Sequence, residues 1–109
     1  MPSYMTRETI IDRDEHLAEN KRLIAHLWSV DKTEEFANGY EFTLQYLFFK
    51  DDKWIQIARI DNQLHEGKPG THIHIYGKKQ IKWEELSFNE AEEKIVEIAK
   101  NIINLLSRM

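Results

Sequence analysis

Residues 40–49, YEFTLQYLFF, alternate without a break, with Tyr40, Phe42, Leu44, Tyr46 and Phe48 on one side of an extended chain and Glu41, Thr43 and Gln45 on the other. A helical period scatters such a set around the axis, so the chain must contain a strand with one buried face. The polar stretch Asp51-Asp52-Lys53 is a tight connection, and WIQIARIDN at 54–62 resumes an isoleucine-rich strand. An antiparallel pair is therefore predicted. Upstream, KRLIAHLWSVD reads two ways. As a helix it extends Leu17 through Ile24 and Trp28; as a strand it sets Ile24, His26, Trp28 and Val30 against Leu23, Ala25 and Leu27. The strand is the simpler choice, because an apolar run that leads through a polar connection into another strand makes a hairpin.

The remaining segments complete a meander. QLHEGKPGT at 63–71, with two glycines and a proline, is a hairpin loop leading into the strand THIHIY, which Gly77 ends; a short fifth strand runs through Ile81 and Trp83. Ser87 lies three before Glu90, a capping box, and Ile95, Ile98, Ala99, Ile102, Leu105 and Leu106 follow as one apolar helical stripe. At the other end, residues 1–9 are polar and unpatterned, which suggests a frayed or loosely packed arm. The thin stripe of Ile10, Ile11 and Leu17 predicts a short helix over 10–20. The expected fold is a single α+β domain spanning 1–109: a four- to five-stranded antiparallel meander sheet with a long C-terminal helix packed on one face.

Composition removes several kinds of chemistry. There is no cysteine, hence no disulfide, no thiolate nucleophile and no sulfur-based zinc site, so His, Asp and Glu are the available metal ligands. A net charge of −4 argues against holding nucleic acid by bulk electrostatics, although Lys78, Lys79 and Lys82 form a local basic concentration. No apolar run approaches the roughly 20 residues of a membrane span, and the first residues lack a signal peptide's apolar stretch; the expectation is a cytoplasmic protein with no membrane partner.

In THIHIY, alternation projects His72 and His74 the same way, roughly 6 to 7 Å apart at the backbone, a workable reach for one divalent metal ion or one phosphate. His65, Glu66 or Asp61 would supply a third ligand. The same residues allow acid–base chemistry without metal, His72 or His74 moving a proton while Arg59 or a lysine stabilises anionic charge, the set that cleavage of an RNA phosphodiester needs. The plain alternative is a strand with solvated histidines beside an end-of-strand Arg59–Asp61 ion pair. His16 and His26 show no partner pattern, and Trp28, Trp54 and Trp83 suit packing better than base stacking. Register decides how these residues meet. If facing residues of the strands at 54–62 and 71–76 sum to an even number, Ile55, Ile57, Ile73 and Ile75 share the buried face, and His72, His74 and Tyr76 share the open one with Gln56 and Ala58. An odd sum instead puts Arg59 and Asp61 beside the histidines. Burial of four isoleucines, at roughly 1.5 to 3 kcal/mol each, favours the even register unless a bulge intervenes.

The run ARIDNQLHEGKPGTHIHIYG, with Arg59, Asp61, Asn62, His65, His72 and His74, resembles the TumE-like family of toxin components from prokaryotic toxin–antitoxin modules, over about residues 22 to 76. A related small family of unknown function fits the same residues. The resemblance implies a small cytoplasmic protein with an antitoxin protein as partner and does not specify an activity; joined to the acid–base reading, the expectation is action on RNA through Arg59, Asp61, His65, His72 and His74, and the reading from another class is a non-enzymatic interaction or metal-binding module using the open sheet face or an edge strand. The Thr-Ile-Tyr context around the histidines and the long C-terminal helix depart from the family pattern.

Overall fold

The computed structural model describes residues 7–108. Among the described residues six strands lie side by side in chain order: β1 (Arg7–Ala18), β2 (Lys21–Val30), β3 (Tyr40–Lys50), β4 (Lys53–Asp61), β5 (His72–Ile75) and β6 (Lys82–Trp83). Every neighbouring pair is antiparallel. The helix α1 (Phe88–Ser107) crosses one face of the sheet and packs on β3 and β4. Among the described residues no helix is long and apolar enough to cross a membrane.

The first strand corrects the sequence reading. Residues 10–18 are extended, not helical, and the part of the expected loose arm that is described, residues 7–9, belongs to the same strand; residues 1–6 lie outside the described residues. Its charges are what hide it, because β1 is an edge strand whose side chains are almost all exposed, leaving no apolar alternation to read. The charges find partners across the hairpin instead of along a helix. Asp12 meets His26 at 3.1 Å, Asp14 pairs with Arg22, and Arg13 reaches Glu92 on α1.

The strand reading of 21–30 and 40–50 agrees with the structure. Leu23, Ala25, Phe42, Leu44, Tyr46 and Phe48 are buried against Ala91, Ile95, Ala99 and Ile103 of the helix. Of the predicted helical stripe, Ile98, Ile102 and Leu106 border this core, whereas Leu105 is 58% exposed and Ile103 takes the buried position. Asp51 and Asp52, both at positive φ, make the two-residue turn from β3 to β4.

The capping box is present: Ser87 Oγ accepts the Glu90 N–H at 3.2 Å, and Glu90 Oε1 accepts the Ser87 N–H at 2.9 Å. The Ser87 backbone N–H holds the Glu90 carboxyl below its ordinary pKa. A group whose pKa is lowered on folding stabilises the fold above its unfolded pKa, and that contribution is lost as pH falls through the folded value. Ser87→Ala keeps the backbone N–H and removes only the hydroxyl acceptor, and is expected to cost about 1 kcal/mol by urea denaturation at neutral pH, whereas acid that protonates Glu90 weakens the box in both forms.

The β4–β5 register is odd. Arg59 faces His74, Ile60 faces Ile73 and Asp61 faces His72. The packing argument for the even register misses a β-bulge: Tyr46 pairs with Ala58 but Leu47 pairs with Gln56, so Ile57 is the extra residue. On its N-terminal side Ile55 borders the core; on its C-terminal side Ala58 and Ile60 are the buried ones, and Ile57 itself has no exposed area. One bulge thus lets isoleucines of both parities reach the helix side, and turns Arg59 and Asp61 to the opposite face with the histidines.

Candidate metal centre

Three strands and a loop build the cluster. Asp61 of β4, His72 of β5 and Trp83 of β6 stand opposite one another in adjacent strands, and the pair Arg59–His74 lies one step along the same face. His65 comes from inside the expected loop, which contains a tight turn of its own. His65 and Lys68 exchange backbone hydrogen bonds at 3.1 and 3.0 Å around Glu66 and Gly67, both at positive φ, and this fixes His65 above the sheet. Gly70, at φ +118, follows with an ideal Cβ position 3.6 Å from the Trp83 ring, a conformation that favours glycine.

The expected open face is only partly open. His72 is 3% exposed because Trp83 covers it at 5.1 Å between ring centroids and His65 at 5.2 Å, whereas His74 and His65 are half-buried. One ligand nitrogen from each of His65, His72 and His74 lies within 4.8 Å of the others. Asp61 sits behind them, its side chain 2% exposed, with Oδ1 at 3.2 Å from His72 Nε2 and Oδ2 at 3.0 Å from Arg59 Nε. Its Oδ1 also accepts the Gln63 N–H at 3.0 Å. Among the described residues two buried nitrogens of the cluster are left without a hydrogen bond, His72 Nδ1 and Arg59 Nε, the latter close to Asp61 but off its hydrogen-bond axis.

Burial lowers the His74 pKa, and the charges of His72, Arg59 and His65 push the same way against Asp61. His74 therefore offers a lone pair at neutral pH. In the His72 tautomer whose Nε2–H points at Asp61, Nδ1 carries a lone pair with no donor to fill it. No protein-family model, curated protein or solved structure matches this chain.

All five sequence-selected residues, Arg59, Asp61, His65, His72 and His74, converge here. Glu66, also considered as a ligand, turns with the loop and is absent from the cluster. Asn62, part of the resemblance, is structural: its Oδ1 accepts the Phe42 N–H and its Nδ2 donates to Tyr40 O, both at 2.9 Å, so its side chain extends the β3–β4 ladder. Sequence reasoning missed that Trp83 roofs His72; the signal was available only through the β5–β6 register. The remaining histidines stay apart, His26 beside Asp12 and His16 edge-on to Trp54.

Proposed function

We propose that the chain binds one divalent first-row metal ion through His65, His72 and His74, with Asp61 as the group that orients His72. The observation that carries this reading is the buried, unpartnered Nδ1 of His72, whose other ring nitrogen is held by a buried carboxylate. A carboxylate behind a ligating imidazole fixes its tautomer and raises its basicity, the usual companion of a histidine ligand. Imidazole donors suit zinc, nickel, copper and iron, and three protein ligands leave a coordination position for water or substrate. A metal held by these three histidines would lower the pKa of a bound water and so supply a nucleophile for hydrolysis.

The test is titration with cobalt(II), followed by visible absorbance, on protein purified without chelator. One equivalent should bind, and uptake should fail in His74→Ala and His65→Ala, whose half-buried positions tolerate truncation; circular dichroism reports that the variants are folded. Unchanged uptake by both variants would overturn the reading. A second reading keeps the residues and omits the metal: a toxin-like protein in which His72 or His74 moves a proton and Arg59 stabilises charge during cleavage of RNA, with an antitoxin as its partner. Arg59 favours it, because the side chain is 37% exposed next to the histidines. RNA cleavage that persists in EDTA, and growth inhibition that His74→Ala abolishes, would select it over the metal reading.

A further inference from the structure

We infer that the groove beside the three histidines receives a phosphoryl oxyanion, one oxygen taking the open position on the metal and the others facing Lys68 and Lys79. This rests on the metal reading above. The groove encloses about 530 Å³, and its lining includes His65, Lys68, Lys79, Gln80 and Trp83, with Glu66 as the one acid. His65 belongs to both the cluster and the groove, and Trp83 lines the groove while covering His72, so the groove adjoins the cluster at His65.

Charge decides what fits. Arg13, Arg22 and Lys94 are each neutralised by a carboxylate, whereas among the described residues Lys68 and Lys79, like Lys78 and Lys82 beside them in the chain, have no acidic partner. Lys68 is nonetheless held in place, its Nζ 4.6 Å from the centroid of the Trp83 ring. A protein of net charge −4 thus leaves positive charge standing at the mouth of its only histidine trio among the described residues. A neutral ligand would gain nothing from that arrangement. A phosphoryl group presents several charged oxygens in a tetrahedron, enough for a metal and two ammonium groups at once, and lysine binds such groups as a mobile point charge. Arg59, partly exposed on the same face, is already paired with Asp61 and leaves the anion to the two lysines.

The experiment uses the full chain loaded with cobalt(II), so that metal uptake is seen before any anion is added. Inorganic phosphate, AMP and an oligouridylate are then titrated separately, read by the shift of the cobalt absorption band and by calorimetry. At least one should bind with a spectral shift, and Lys68→Gln and Lys79→Gln should each weaken it about tenfold while leaving the cobalt stoichiometry intact. The tightest of the three identifies the source of the phosphoryl group as free anion, nucleotide or single-stranded RNA. Cobalt uptake with no response to any of them, or with affinity unchanged in both lysine variants, overturns the inference alone. Failure of cobalt to bind overturns the metal reading and the inference with it.

Discussion

Asp61→Ala is expected to lower the free energy of unfolding by about 3–5 kcal/mol, a large share of what a domain of this size has. The side chain is 2% exposed, and its removal takes the ion-pair partner from Arg59, strands His72 Nε2 and releases the Gln63 amide. Each of those donors was desolvated on the expectation of this carboxylate, and truncation to alanine leaves the penalty without the partner. Urea denaturation at neutral pH measures the loss. Asp61→Asn keeps an oxygen for one of the donors and should fall well short of the alanine value. The same pair of variants bears on the metal proposal: asparagine no longer acts as a charged support for His72, so cobalt affinity should drop 10- to 100-fold even where the fold survives. Equal stability of Asp61→Ala and wild type would mean that the buried contacts around this residue contribute nothing net.

Ile57→Ala should cost a further 2–5 kcal/mol, measured in the same way, with an unchanged denaturant slope. Ile57 has no exposed area and is the extra residue of the bulge, packed in the same core as Leu44, Ile60 and the helix. Ile55→Ala, on the regular part of β4 and only partly buried, is the control and should lose less. If the two substitutions cost the same, the bulge residue is not the better-packed of the pair.

The sequence carried the sheet from β3 onward because the signals there are redundant: alternation in 40–49, a turn at Asp51-Asp52, glycines around THIHIY and a complete capping box before α1; β2 read two ways and was chosen as strand only through the hairpin it makes with β3. It did not carry β1, since an exposed edge strand made of Arg7, Glu8, Asp12, Arg13, Asp14 and Glu15 has no buried face to impose a period, and its ion pairs depend on residues elsewhere in the chain. The candidate site was legible as a set of residues and illegible as an arrangement. Whether Arg59 and Asp61 stand with the histidines depends on the parity of one ladder, and that parity depends on an extra residue at Ile57, which local hydrophobicity does not mark. Counting isoleucines gave the wrong register because a bulge allows both parities to be buried.

Arg59, Asp61, His65, His72 and His74 all lie on one hairpin, and no residue of the cluster has to wait for the helix or for β1 and β2. Closing so short a loop costs little chain entropy. Ligation would therefore act as a local clasp, slowing amide hydrogen exchange in the β4–β5 hairpin more than in the distant β1–β2 edge. The hairpin is also the smallest piece of this chain worth transplanting: moved onto another antiparallel sheet with its bulge and a tryptophan on the next strand, it would take its whole coordination chemistry with it.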